Sequence, residues 1–94
     1  MSKNLKITPI SLNFVLCHSY NRLVAMCHCN VLYMIDASTD PTWNNQEHTY
    51  YSTTTQHHIS KLSDYMIGTT LHVPIRRLVS YDEFYRLYEE LCPS

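Results

Sequence analysis

The chain has 94 residues, of which 45% are hydrophobic, 12% aromatic and 16% charged, and its formal net charge is -1. A chain of this length has room for one small core, and eight tyrosines with a single glycine are not the composition of a disordered segment. The near-neutral charge argues against a general binder of nucleic acid or of anionic membranes. We therefore expect one folded domain over residues 1–94.

No stretch of the sequence predicts a membrane span or a cleaved leader. The longest apolar runs, Leu12–Cys17 and Leu23–Cys29, fall far short of the roughly 20 residues that cross a bilayer. Pro9 interrupts the apolar run near the N-terminus, and no small-residue cleavage site follows it. We therefore expect a cytoplasmic protein, in whose reducing surroundings the four cysteines remain free thiols: Cys17, Cys27, Cys29 and Cys92.

The first part of the chain predicts three strands, at about Leu12–Tyr20, Leu23–His28 and Val31–Asp36. β-Branched and aromatic residues fill these stretches without a helical period. The turn-prone residues Ser19–Arg22 separate the first two strands, and Asn30, which tolerates a positive φ, allows a second reversal at Cys29–Asn30. Three strands joined by two tight turns predict an antiparallel meander.

A polar loop and a helix follow. Residues 37–48 contain Asp40-Pro41 and predict an exposed loop that carries Trp43, after which Thr49–Tyr51 predicts a brief strand. The four hydroxyl residues Ser52–Thr55 predict a helix start at which Thr54 or Thr55 accepts a backbone N–H group. An apolar stripe then continues to a glycine that we expect to form a left-handed C-terminal cap: Ile59, Leu62, Met66 and Gly68.

The last part predicts an edge strand and a second helix. Leu71–Val79 is apolar and β-branched, but Pro74 cannot donate to a central ladder, so we expect this segment at an edge of the sheet. Ser80–Glu83 is a capping-box sequence, and apolar residues then recur at helical spacing: Phe84, Leu87, Tyr88 and Leu91. The predicted fold class is α+β, a small antiparallel sheet of three to four strands with two helices packed on one face.

Two segments resemble motifs of a family of small tailed-phage proteins of unknown function. In that family an S-Y-x-T-x-V-A strand precedes a Y-S-x-T-T-x-x-H-I segment. Ser19–Ala25 is similar to the first motif, with Arg22 in place of its threonine, and Tyr51–Ile59 is similar to the second. The resemblance covers roughly half of the chain. It implies a phage origin, action inside a bacterial host and a core of three strands and a helix, and it brings no established activity.

The second motif supplies the first candidate site, whose members are Ser52, Thr54, Thr55 and His58. Hydroxyls and an imidazole at a helix N-terminus suit a phosphate or a nucleotide, because the first N–H groups of a helix lack intrahelical partners. In the structural alternative a threonine caps the helix, and His58 packs between sheet and helix with one ring nitrogen bonded to the backbone. This alternative accounts for every residue type in the segment.

The sequence predicts no enzyme, no cofactor and no metal site. In a strand Cys27 and Cys29 point to one side and His28 to the other, so the three cannot converge on a zinc ion, and the cysteines are interpreted as small buried hydrophobes. No nucleophile elbow such as G-x-S-x-G is present. His57 and His58 are not an acid–base pair, because adjacent helical residues point about 100° apart.

The aromatic residues supply the second candidate site. Tyrosine is enriched at protein interfaces because it buries much area with little loss of rotamer freedom, and eight tyrosines exceed what a core of this size needs. The predicted interface residues are Trp43, Tyr50, Tyr81 and Tyr85. The leading functional hypothesis is binding of a host or phage protein, for example a defence or replication component. A homodimer through Leu71–Val79 would use the same features, and a nucleotide- or phosphate-binding module is the alternative function.

Overall fold

The computed structural model describes residues 4–43 and 48–92, and it contains a five-stranded sheet and two long helices. The strands are β1 (Leu5–Ser11), β2 (Phe14–Ser19), β3 (Arg22–His28), β4 (Val31–Ile35) and β5 (Ile75–Val79). The helices are α1 (Thr53–Thr70) and α2 (Tyr81–Leu91), and a 3₁₀ turn, Ala37–Thr39, follows β4. The predicted α+β class is confirmed.

The strands lie in the order β1-β2-β3-β4-β5. The first four form an antiparallel meander, whereas β5 pairs with β4 in parallel. The sheet is therefore mixed and five-stranded, not the antiparallel sheet of three to four strands that the sequence predicts. The reason is the connection through α1, which returns the chain to the end of the sheet where β4 began and so makes the next strand parallel.

The two predicted reversals are confirmed as two-residue turns. Ser19 pairs with Arg22 across the first turn, and His28 pairs with Val31 across the second. All four turn residues have positive φ, which is the geometry of type I′ turns that match the twist of the flanking strands: Tyr20 (54°), Asn21 (65°), Cys29 (50°) and Asn30 (67°). Asn21 and Asn30 tolerate this conformation, whereas Tyr20 and Cys29 hold a positive φ that their side chains ordinarily disfavour.

The first edge strand, β1, was not predicted, and the predicted strand Leu12–Tyr20 begins two residues later, at Phe14. β1 contains Pro9, which interrupts a strand pattern in the sequence. Pro9 is accommodated because β1 lies at the edge of the sheet, and the pairing with β2 is irregular between Pro9 and Ser11. Leu12 lies in the turn with 97% of its surface exposed.

The two helices pack on opposite faces of the sheet, so the prediction that both cover one face is wrong. α1 packs through Ile59, Leu62 and Met66 against β-strand residues such as Cys17 and Leu32. α2 packs through Phe84 against the alternate residues of the strands, which include Phe14, Leu16 and Met26. The cause is visible in β2 and β3, whose apolar residues are consecutive, as in strands covered on both faces.

The ends of α1 differ from the prediction at both termini. Ser52 is the N-cap, with its side chain accepting the Thr55 N–H group, so neither Thr54 nor Thr55 caps the helix. Gly68 lies inside the helix, which continues to Thr70, and Leu71 takes the left-handed C-cap position with φ of 63°. Residues 49–51 form no strand. The helix therefore begins earlier than a cap at Thr54 or Thr55 predicts, and it ends later than the glycine signal predicts.

The predicted N-terminal cap of α2 is confirmed at Ser80. Ser80 is the N-cap and its Oγ accepts the Glu83 N–H group at 3.2 Å. Phe84 is fully buried and anchors the helix on the sheet. A local capping signal combined with a regular apolar stripe was sufficient to predict this element.

Candidate functional site

A cleft of about 470 Å³ opens where the turn between β2 and β3 meets the start of α1. Its walls are formed by Ser19, Tyr20, Arg22, Val24, Trp43, Tyr51, Ser52, Thr54 and Thr55. Small-molecule sites are typically clefts of roughly 300–1,000 Å³ with aromatic walls and a few polar groups. Apart from Trp43, every wall residue belongs to one of the two segments that carry the phage resemblance.

The predicted hydroxyl–imidazole set is assembled in this region, but most of its polar atoms bond to one another. Ser52 Oγ accepts the Thr55 N–H at 3.2 Å and donates to Thr55 Oγ1 at 3.1 Å. Ser19 Oγ lies 3.3 Å from Thr55 Oγ1 and 2.7 Å from His58 Nδ1. These contacts agree with the structural alternative in part, because the segment caps α1 and His58 is buried between sheet and helix. The cap is Ser52 and not a threonine, and His58 Nδ1 contacts the side chain of Ser19.

The four predicted ligand residues therefore have different positions. His58 is only 4% exposed and does not line the cleft, whereas its neighbour His57 is exposed. Ser52 and Thr55 reach the wall but are engaged in the cap. Thr54 is exposed, lines the cleft and makes no hydrogen bond to another described residue through its side chain. Within this set, Thr54 is the side chain best placed to contact a ligand.

A buried carboxylate bonds to two of the residues that form the cleft wall. Asp40 is 0% exposed, and its Oδ2 accepts from Arg22 Nη1 at 2.9 Å and from the Tyr51 hydroxyl at 2.5 Å. Its Oδ1 accepts the Thr42 N–H at 2.8 Å and the Thr42 hydroxyl at 2.6 Å. Arg22 Nη2 also donates to Thr42 Oγ1 at 2.7 Å. Arg22 and Tyr51 are therefore fixed wall residues.

The same contacts set the charge of Asp40. Burial raises the pKa of this carboxyl, but the hydrogen bonds from Thr42 and Tyr51 and the charge of Arg22 outweigh burial, so its pKa lies below the ordinary 3.8. Burial and the hydrogen bond to Asp40 raise the pKa of Tyr51, which stays neutral. The charge of the wall residue Arg22 is therefore offset by the buried Asp40 behind it.

The four residues predicted for a protein interface do not form one exposed patch. Trp43, Tyr81 and Tyr85 pack as half-buried side chains against the α2-side core. Trp43 stands edge-on to Tyr51 with ring centroids 5.1 Å apart, and the Tyr85 hydroxyl donates to a backbone carbonyl of β3 at 3.0 Å. Tyr50 is 52% exposed. Several of the aromatic side chains predicted for an interface therefore pack within the fold instead.

Large exposed apolar side chains instead follow the end of α1 and the strand β5. Their exposed fractions are 84% for Leu71, 71% for Val73, 63% for Ile75 and 40% for Leu78. β5 is hydrogen-bonded to β4 on one side and is the last strand of the sheet on the other. We call Leu71–Val79 the β5 edge. Its position at the sheet edge agrees with the prediction from Pro74.

Residues 4–43 and 48–92 were also searched for a metal site, a reactive thiol and a membrane-spanning helix. No group of three His, Cys, Asp or Glu side chains lies together there as metal ligands do. Cys17 and Cys27 are buried and Cys29 is exposed, and all are free thiols. Burial raises the pKa of Cys17 to about 12, so it remains a protonated thiol. No helix in this part of the chain has the length and apolar character needed to cross a membrane.

The hydrogen-bond network around Asp40 could not be predicted from the sequence. Residues 37–48 were interpreted as an exposed loop, yet Asp40 in that loop is buried and bonded to Arg22 and Tyr51. Asp before Pro is an ordinary turn signal. The residues around Asp40 in the sequence do not indicate that its carboxylate pairs with Arg22 at the start of β3, because that contact depends on tertiary packing.

Comparison with known proteins identifies no relative. The chain matches no family model, no curated protein and no solved structure. The likeness of Ser19–Ala25 and Tyr51–Ile59 to phage motifs therefore stays a prediction. The cleft and the β5 edge are the two candidate functional surfaces.

Proposed function

We propose that this protein is a small accessory protein of phage origin that binds another protein in the bacterial cytoplasm and has no catalytic activity of its own. The observation that supports the proposal is the exposed apolar β5 edge. Natural proteins usually protect or cover an edge strand of this kind, because its free N–H and C=O groups pair readily with another chain. The phage and host assignments rest on the resemblance of Ser19–Ala25 and Tyr51–Ile59 to the phage motifs.

Strand addition is the recognition mode that suits the β5 edge. In this mode main-chain hydrogen bonds supply affinity, and the alternating side chains supply specificity. β5 is already ordered by its pairing with β4, so little ordering entropy is lost on the side of this protein. A blocking protein needs only such a surface to occupy a partner's own strand-pairing site, for example on a defence or replication component.

The proposal is tested by changing the β5 edge without changing the core. In the variant Val73→Asp/Ile75→Asp both substituted side chains are mostly exposed, so the fold is retained. Leu12→Asp is the matched control, because Leu12 is equally apolar and still more exposed but lies in the turn between β1 and β2. We expect a partner captured quantitatively from bacterial lysate by the wild type and by Leu12→Asp to be lost with the double variant. Equal capture by all three proteins contradicts the proposal.

The cleft supports a second candidate function, binding of a nucleotide or another planar phosphate ligand. Its aromatic walls suit a ring, and the first-turn N–H groups of α1 beside Thr54 suit an anion. The internal bonding of Ser52, Thr55 and His58 leaves fewer polar atoms for a ligand than the sequence predicts. Binding at the cleft is therefore the second candidate.

A thermal-shift screen with nucleotides tests this second function. A ligand at a hundred times its dissociation constant adds about 2.7 kcal/mol to the free energy of unfolding. Thr54→Asp places a negative charge in the cleft wall and should remove the shift. Thr53→Asp, also in the first turn but outside the wall, should retain it. Absence of a shift with the wild type, or an equal shift with Thr54→Asp, argues against the cleft as an anion site.

A further inference from the structure

We propose, building on the protein-binding function above, that the partner of the β5 edge is an extended segment in which two adjacent acidic residues are flanked by apolar residues. The edge carries Arg76 and Arg77 between the exposed apolar residues Ile75 and Leu78. No acidic residue lies in Leu71–Val79. The inference follows from the direction of each main-chain and side-chain group along β5.

The main-chain groups that face the open edge belong to Arg76 and Leu78. The Ile75 N–H donates to the Asn30 carbonyl just before β4, and the Val79 carbonyl accepts the Asp36 N–H just after β4. Groups that point to β4 therefore recur at Ile75, Arg77 and Val79, because a strand has a period of two. The N–H and C=O groups of Arg76 and Leu78 point away from β4, toward an incoming strand.

The side chains of β5 form a four-residue pattern on that edge. Val79 packs into the α2-side core, so Ile75 and Arg77 lie on the α2 face, and Arg76 and Leu78 lie on the α1 face. Each face thus presents one apolar and one basic side chain. An antiparallel partner strand complements both faces when it reads apolar, acidic, acidic, apolar.

The two arginines have no ion-pair partner among residues 4–43 and 48–92. Both are exposed, and within the described residues neither lies within ion-pair distance of a carboxylate. Opposite charges directly across two strands stabilise the pairing, whereas like charges destabilise it. Charge complementarity therefore favours a partner that supplies carboxylates at these two positions.

The same charges disfavour the predicted homodimer through Leu71–Val79. A symmetric antiparallel pair that uses all five residues of β5 places Arg77 directly opposite its own copy. A shift of two residues in one direction places Arg76 opposite its own copy instead. A shift of two residues in the opposite direction avoids both arginine contacts, but only the three residues Arg77–Val79 of each copy are then paired. A second copy of this chain is thus a poorer occupant than an acidic strand.

The test uses three capped hexapeptides and fluorescence anisotropy at low ionic strength. The acidic probe is Thr-Val-Glu-Glu-Val-Thr. The charge control is Thr-Val-Lys-Lys-Val-Thr, and the pattern control is Thr-Glu-Val-Val-Glu-Thr, which has the same composition as the probe. We expect the acidic probe to bind the wild type at least about tenfold more tightly than either control, which corresponds to about 1.4 kcal/mol. In the variant Arg76→Glu/Arg77→Glu the preference should reverse to the lysine peptide.

A proline substitution tests whether binding uses the main chain. Leu78→Pro removes an N–H group that points to the open edge and not to β4, so the sheet is retained while strand addition is blocked. Leu78→Ala loses a comparable side chain and keeps the N–H group. We expect Leu78→Ala to retain most of the affinity for the acidic probe and Leu78→Pro to lose it, with circular dichroism verifying both folds.

The outcomes separate this inference from the proposed function. Equal binding of all three peptides, abolished by Leu78→Pro, overturns the acidic specificity and leaves binding at the β5 edge intact. Binding of the acidic probe that Leu78→Pro does not weaken overturns strand addition. Sedimentation equilibrium that finds a wild-type dimer dispersed by Leu78→Pro identifies a second copy as the occupant and also overturns the inference. Failure of all peptides to bind overturns it as well.

Discussion

Asp40→Ala is the substitution for which the structure gives the clearest energetic prediction. It removes the acceptor shared by Arg22, Thr42 and the buried Tyr51 hydroxyl. Removing one partner of a buried ion pair costs about 3–5 kcal/mol, and a buried hydroxyl left without its acceptor costs about 1–3 kcal/mol. The lower ends of these two ranges together give about 4 kcal/mol. Because the Arg22 side chain is 36% exposed and regains water, we discount the ion-pair part and expect a total loss of about 3 kcal/mol.

A loss of this size is large for so small a domain, whose free energy of unfolding is about 5–14 kcal/mol. It corresponds to a decrease in melting temperature of about 12–24 °C. Urea denaturation followed by circular dichroism measures it directly. Asp64→Ala is the control, because Asp64 is exposed on α1, and it should change stability by less than about 0.5 kcal/mol. If Asp40→Ala is within 1 kcal/mol of the wild type, taken as about the limit of significance, the reasoning about the buried network is wrong.

The pH dependence gives a second measurement of the same network. The pKa of Asp40 is below the ordinary 3.8 in the folded protein, so the unfolded chain binds the proton more tightly. The stabilisation from ionised Asp40 is therefore complete above the ordinary pKa and is lost as the pH falls through the folded value. The difference in stability between wild type and Asp40→Asn should shrink progressively below about pH 4. A difference that stays constant through this range would show that the charge of Asp40 is not involved.

Three further predictions concern the helix and the thiols. Gly68→Ala should raise the free energy of unfolding by about 0.5–1 kcal/mol, because Gly68 is inside α1 and an added Cβ meets no atom within 4 Å; destabilisation in a thermal melt would count against the helical assignment. Leu71→Gly should stabilise by about 1 kcal/mol, since Leu71 holds a left-handed conformation with 84% of its surface exposed; chemical denaturation decides the sign. A maleimide added to the native protein at neutral pH should label exposed Cys29 and spare buried Cys17, whose pKa burial raises to about 12; peptide mass spectrometry reads the sites, and equal labelling would contradict the burial.

Elements with a complete local signal could be predicted from the sequence. The helix α2 has a capping serine at Ser80 and a regular apolar stripe, and each hairpin turn contains an asparagine, Asn21 or Asn30, that tolerates a positive φ. Elements whose conformation depends on contacts between residues distant in sequence could not be predicted in this way. β1 contains a proline that only an edge position tolerates, and Leu71 occupies a left-handed cap while a glycine stands three residues earlier inside the helix.

The faces of the sheet on which the helices pack were also predicted incorrectly. The unbroken apolar runs Phe14–Cys17 and Leu23–Cys27 are the pattern of strands covered on both faces, but the prediction assigned both helices to one face. For the candidate site, the sequence indicated the hydroxyl residues around the helix start. The pairing of Arg22 with Asp40 and the concentration of apolar exposure at the β5 edge became visible only in the assembled sheet.

The two short turns that flank β3 have a consequence for the order of folding. Contacts among β2, β3 and β4 join residues close in sequence and carry a small loop-closure cost, whereas β4 and β5 are far apart in sequence and are connected through α1. We therefore expect the central three strands to form the nucleus and β5 to dock last. Native-state hydrogen exchange should then protect the amides of β3 more strongly than those of β5, and a nascent chain would pass through an intermediate in which β4 itself is an open strand available to chaperones or to misassembly.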